Sequence, residues 1–220
     1  MRLDNDPRVF APNGYTWALC DGLKDASLPE PTAILDVGTG GGVLAVWAGL
    51  TWPFAAIEAI DVDPRATDLA RANLAANGLG EPRSRVEEVT IAEFTPTVEP
   101  DLILANLPQL PAGWHDDRYV SSGDDGLEAI GQTMAWTARH AAPGGRLYLT
   151  LADFLDKRRL VDLASDLRLD LEVLLHRPVR PGPATRQRRP WLEQHGYRMR
   201  TDENGPYVDV MTIEVRRAAG

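Results

Sequence analysis

The chain has 220 residues, 44% hydrophobic and 25% charged, the balance of a soluble globular protein long enough to bury one α/β core. No apolar run approaches the roughly 20 residues a membrane helix needs, and the opening MRLDNDPRVF lacks the apolar stretch of a secretory signal. A formal net charge of -9 disfavours a dedicated polyanion binder, and a lone cysteine, Cys20, rules out an internal disulfide, so the expectation is a cytoplasmic protein.

Residues 1–30 read as a short helical extension packed on the core. From about residue 33, short apolar runs alternate with helical patterns, which predicts an α/β, doubly wound, mostly parallel sheet with helices on both faces. AILDV at 33–37 is the first strand, VLAVWAGL a helix, and FAAIEAID at 54–61 the second strand. PRATDLARANLAANG at 64–78 is a helix with Asp63 as cap, Pro64 in its first turn, Asn77-Gly78 as a left-handed stop, and a core stripe at 66, 69, 70, 74 and 75. A weaker strand at 86–91 precedes DLILAN at 101–106, an apolar run typical of a doubly buried strand. LEAIGQTMAWTARHA, stopped by Pro143-Gly144-Gly145, is a helix, and RLYLTLA at 146–152 a strand. A helical pattern at 154–167, an apolar run LDLEVLL at 169–175 and a strand-like YVDVMTIEV at 207–215 complete the chain. Between the last two, RPVRPGPATRQRRP at 177–190 reads as an arginine- and proline-rich loop. The whole is expected to form one domain, with 31–152 as its ligand-binding core and 153–220 as the C-terminal part of the sheet.

Asp36, Gly38, Gly40 and Gly42 spell D-x-G-x-G-x-G between a strand and a helix. Glycines there allow a tight turn and let a nucleoside approach the bare backbone at the strand's C-terminal edge. Thr39 belongs to the same loop. The next strand ends in Asp61, followed by Val62, where a carboxylate can accept both hydroxyls of a ribose, about 20 positions beyond the loop. A dinucleotide fingerprint would require a small residue where Val43 stands, since a pyrophosphate must reach the helix N-terminus. S-adenosylmethionine has no such need and is the expected cofactor. The four histidines lack metal spacing and no metal is expected; no G-x-S-x-G elbow is present.

The fourth strand leads into ANLPQLP at 105–111, at the functional edge of an open sheet. Here the chain resembles methyltransferases with an N-P-P-Y type motif, including the HemK/PrmC protein-glutamine methyltransferases and the amino-methyltransferases of adenine. Asn106 and Pro108 match, Leu107 replaces the first proline and Gln109 the aromatic residue. RVFAPNGYTWAL at 8–19 resembles the family's V-Y-x-P-x-x-D-T-x-x-L segment, with Tyr15 in place of the acidic residue. SSGDDGLEAI at 121–130 and AAPGGRLYLTL resemble its G-G-x-D-G-L and L-x-P-G-G-x-L segments, so the likeness covers roughly residues 8–152 and not the last 70.

The resemblance implies a Rossmann-like class I methyltransferase and a catalytic motif at Asn106, Leu107, Pro108 and Gln109. An amide nitrogen is a poor nucleophile because its lone pair is delocalised. The Asn106 side-chain carbonyl and the Leu107 backbone carbonyl are the natural acceptors for its two hydrogens. Glutamine cannot stack on a flat substrate group, so Trp114, Tyr119 and Tyr15 are the candidate aromatic contacts. In the third-strand turn Ala92 stands where the family's aspartate contacts the adenine amino group, and Glu93 is the neighbouring substitute. The function expected is N-methylation of an amide or amine in a protein, peptide or small metabolite. Three alternatives stay open: a nucleic-acid amino-methyltransferase gripping phosphates with Arg177, Arg180, Arg186, Arg188 and Arg189; an O-, S- or C-methyltransferase of a small molecule; and a non-catalytic cofactor-binding scaffold.

Overall fold

The computed structural model describes residues 1–26, 28–111 and 121–218; Trp114 and Tyr119 lie outside them. Five strands, β1 (Ala33–Val37), β2 (Ala56–Asp61), β3 (Ser84–Glu88), β4 (Leu102–Ala105) and β5 (Arg146–Ala152), pair in parallel in the order β3-β2-β1-β4-β5. The sheet continues through the antiparallel β8 (Gly205–Arg217) to β6 (Leu169–Val179), and the short β7 (Arg200–Asp202) pairs with β8. The helices are α1 (Gly14–Asp25), α2 (Val43–Thr51), α3 (Pro64–Ala76), α4 (Glu128–His140), α5 (Lys157–Asp166) and α6 (Pro183–Gln194). This is the doubly wound α/β sheet read from the alternation of strand and helix patterns.

β1 and β4 are buried along their whole length, as continuous apolar strands covered on both faces must be. Trp136 and Tyr148 are the largest fully buried side chains, one on α4 and one on β5. Among the described residues no helix is long and apolar enough to cross a membrane. α3 starts where its caps dictate, with the Asp63 side chain accepting from Arg65 N, and the chain turns away at Gly78 with φ 72°. Its stripe differs from the expected one: Ala75 is exposed, whereas Thr67 and Asn73 are buried. The weak third strand forms two residues earlier than its apolar pattern predicts, because residues 89–94 turn over the end of β2, with Val89 N donating to Asp61 O at 3.0 Å.

The largest correction concerns 177–190. Residues 177–179 complete β6, and Pro183 opens α6. Pro178 is tolerated because β6 is the last strand of the sheet. Pro183 sits in the first helical turn, where no N–H is missed, and Leu192 is buried against the core.

Candidate active site

Register gathers the site. Val37 pairs with both Ile60 and Ala105, so the next residues along each chain path, Gly38, Asp61 and Asn106, emerge side by side on one edge. Gly38, Gly40 and Gly42 all have positive φ, at 67°, 53° and 79°. At Gly42 a side chain would also strike the α3 backbone, with Ala70 Cα only 3.0 Å from an added Cβ, so the loop both turns left-handed and presses on the next helix.

Two carboxylates brace this loop. Asp36 is wholly buried beneath it, and its Oδ2 accepts from the Thr39 hydroxyl at 2.6 Å and Ala45 N at 3.0 Å. Asp36 Oδ1 is buried without a hydrogen-bond partner among the described residues. Burial pushes the Asp36 carboxyl up to about 7, with the nearby Asp61 charge adding to the shift. Asp61 Oδ2 accepts from Gly40 N at 2.8 Å and Oδ1 from Asp63 N at 3.0 Å; burial raises its pKa as well. An orphaned buried oxygen, two carboxylates reluctant to ionise alone and glycines that leave no side chain in the way suit a cationic nucleoside ligand such as S-adenosylmethionine. Val62, Ala92 and Glu93 are exposed around this rim, with Glu93 Oε2 accepting from the Thr90 hydroxyl at 2.8 Å.

An N-terminal strap crosses the same loop. Phe10 O would lie 3.8 Å from a Cβ at Gly40. Two asparagines one turn apart, Asn73 on α3 and Asn77 at its C-terminal cap, tie the strap down. The Asn73 carboxamide pairs with Asp4 N at 2.7 Å and Asp4 O at 3.1 Å and also donates to Gly41 O at 2.7 Å. Asn77 pairs in the same way with Arg2 N and O, at 2.8 and 2.6 Å. The strap then enters α1 through a capping box, in which Asn13 accepts from Tyr15 N and Thr16 Oγ1 accepts from Asn13 N.

Asn106 lies where α1, β4 and β5 meet. Its Nδ2 donates to Thr16 Oγ1 at 3.0 Å and its Oδ1 accepts from the Thr150 hydroxyl at 3.0 Å. Leu107 reaches the glycine loop, with its Cδ2 3.1 Å from a Cβ built at Gly38. Pro108 carries the chain past the strand end. Gln109 turns inward and is buried: its Nε2 donates to Thr150 O at 2.8 Å and Oγ1 at 3.2 Å, and its Oε1 accepts from Ala152 N at 2.8 Å. Glutamine thus occupies the aromatic position of the related motif but faces the protein. Tyr15 is partly buried against the main core, and burial pushes its phenol upward.

Three residues of this arrangement escape sequence reading: Thr16, Thr150 and Asn73. The signal for the last two was present, since a polar side chain inside LYLTL or on a core-facing helix must find a buried partner. The arginines of 177–190 are largely engaged within the protein. Arg177 pairs with Asp21, Arg180 with Asp202 through two 2.7–2.8 Å bonds, Arg186 with Pro181 O and Arg189 with Glu193, and Arg188 is buried.

The family model of ribosomal protein L11 methyltransferase matches residues 15–109. The release factor glutamine methyltransferase of Deinococcus radiodurans is 35% identical over 179 residues, which cover 76% of this chain and 62% of that protein. The Mycobacterium leprae protein of the same description is 31% identical over 204 residues, covering 83% of this chain and 68% of that one. The chain therefore spans less than two thirds of the first of these relatives. A solved ribosomal protein L11 methylase of Lactobacillus delbrueckii subsp. bulgaricus superposes with a TM-score of 0.62 at 17% identity, covering 97% of this chain and 84% of that one, a likeness of fold. The chain belongs to the release factor glutamine methyltransferase family, within the S-adenosylmethionine-dependent methyltransferases of the class I fold.

Proposed function

We propose that this chain transfers a methyl group from S-adenosylmethionine to the side-chain amide nitrogen of a glutamine in a protein, in the cytoplasm. The observation that carries this reading is the Asn106 carboxamide, held at both ends and standing one strand away from a braced glycine loop. When bound, the cofactor supplies an electrophilic methyl on a sulfonium. Asp61 accepts the ribose hydroxyls, while Gly38, Thr39, Gly40 and Gly42 give the nucleoside a backbone surface and Asp36 holds their turn. Val62 and the Ala92–Glu93 turn flank the adenine.

Asn106 Oδ1 has one lone pair engaged by Thr150 and one left for an incoming N–H. That lone pair and the Leu107 carbonyl hold the two hydrogens of the substrate amide, which turns the nitrogen lone pair toward the methyl. No strong base is required, because the nitrogen proton becomes acidic as the methyl arrives and passes to solvent. Tyr15 and the segment holding Trp114 and Tyr119 are the candidate walls for the substrate. A protein acceptor fits the glutamine methyltransferase relatives. A nucleic-acid acceptor has less support, since the arginines that would grip phosphates pair with carboxylates and carbonyls of the chain itself.

The test is incubation with methyl-labelled S-adenosylmethionine and a bacterial release factor, followed by mapping of the label. Label on a glutamine, abolished by Asn106→Ala with cofactor binding retained, is the expected result. Label on RNA, or undiminished transfer by the variant, would overturn the reading.

A further inference from the structure

We infer that Thr16 is a positioning residue for Asn106, and that through it the first turn of α1 completes the acceptor end of the site. β4 pairs with β5 only as far as Ala105 opposite Leu149, so Asn106 lies beyond the ladder and strand pairing does not place its side chain. The torsion that turns an asparagine carboxamide is broad and roughly two-fold, so rotamer preference does not place it either. Among the described residues two hydroxyls do so, Thr150 on β5 and Thr16 on α1, each at 3.0 Å. A hydroxyl meets either end of a carboxamide, so this clamp works whichever way round Asn106 faces. With Thr150 alone the group would swing about a single contact.

Thr16 has a second task that ties the clamp to the helix. It is the third residue of α1 and a member of its capping box: Asn13 N donates to Thr16 Oγ1 at 3.3 Å, and Asn13 Oδ1 accepts from Tyr15 N at 2.9 Å. Glutamate or glutamine is the usual residue at this place in a capping box. A hydroxyl that accepts from the cap keeps a lone pair and its own proton for a second partner. Thr16 is only 5% exposed, and Asn106 is that partner.

The rest of α1 is held independently of the cap. Ala18 and Leu19 are fully buried, and Ala18 O accepts from the Thr212 hydroxyl at 2.8 Å. Loss of the cap therefore loosens the first turn without unseating the helix, and Asn106 is displaced with that turn.

The test uses the side-chain amide signals of the full chain in 1H–15N NMR, with Asn106 identified by its loss in Asn106→Asp. Thr16→Val is expected to move the two Asn106 proton signals toward free-asparagine positions, and Thr16→Ser to restore them. Asn13→Ala, which leaves both Thr16 and Asn106 in the chain, should move them in the same direction by less. Asp156→Ala removes the side-chain cap of α5 instead and should leave them in place. Unchanged Asn106 signals in a folded Thr16→Val, or in Asn13→Ala, would overturn the inference; if Thr16→Val does not fold, Asn13→Ala decides alone. The kinetic arm rests on the proposed glutamine methylation: Thr16→Val should lower kcat by about tenfold or more, as misplacement of a reacting group does, with cofactor Kd unchanged and Thr16→Ser recovering the rate. If the parent protein methylates no glutamine while the spectral changes occur, the positioning inference stands and the substrate reading falls.

Discussion

Asn73→Ala removes the firmest tie between the N-terminal strap and the glycine loop. The side chain is 1% exposed and makes three hydrogen bonds, two to Asp4 and one to Gly41 O. At about 1 kcal/mol net for each bond, the loss is roughly 3 kcal/mol. In a chain of this length that corresponds to a fall in Tm of about 6–12 °C. Differential scanning calorimetry measures the shift, and limited proteolysis reports whether residues 1–12 have come free. Because Phe10 lies across Gly40, affinity for S-adenosylmethionine should fall as well. Asn77→Ala, nearer the surface, should cost less. A shift under about 2 °C, with the strap as protease-resistant as in the parent, would show that the strap is held by something other than these carboxamides.

Asp61→Ala deletes the acceptor for Gly40 N and Asp63 N and should weaken S-adenosylmethionine binding at least tenfold, since hydrogen bonds to charged groups contribute about 1.5–3 kcal/mol each; calorimetry finding parental affinity would refute the assignment. The raised carboxyl of Asp36, at about 7, means that the folded chain holds a proton the unfolded chain has released. The ligand-free protein should therefore lose stability as pH rises from about 4 to about 7 and level off above. Burial of Asp61 acts in the same direction. In Asp36→Asn that slope should flatten, and an unaltered melting profile would contradict the assignment. Gly42→Ala and Gly78→Ala separate backbone strain from packing: both glycines have positive φ, but only Gly42 faces Ala70 closely. Each should cost about 1–2 kcal/mol for the left-handed backbone, and Gly42→Ala distinctly more in urea unfolding; equal losses would remove the packing argument.

The elements with strong local signals were legible from residues alone. β5 spans the residues its apolar run predicts, and α3 starts at Pro64 behind its Asp63 cap. The glycine loop was legible for the same reason, because its conformation is dictated by the residues that form it. What sequence could not reveal depends on partners far along the chain. Gln109 reads as a failed aromatic until the edge of β5, some forty positions on, is seen to lack a strand partner there. The prolines of 177–190 read as a loop because local sequence does not tell an edge strand or a helix start from an irregular segment, yet both tolerate proline. Asn73 reads as a polar interruption of the α3 stripe until the strap arrives to pair with it.

The central claim is that the site holds an N–H acceptor by its hydrogens, and it is tested most directly by two peptides differing in one residue. A release-factor peptide carrying glutamine and its glutamate counterpart would be offered with S-adenosylmethionine, and methyl incorporation followed by mass spectrometry. The account predicts a single methyl on the glutamine side chain and none on the glutamate peptide. Equal methylation of both, or methylation of the glutamate alone, would contradict it.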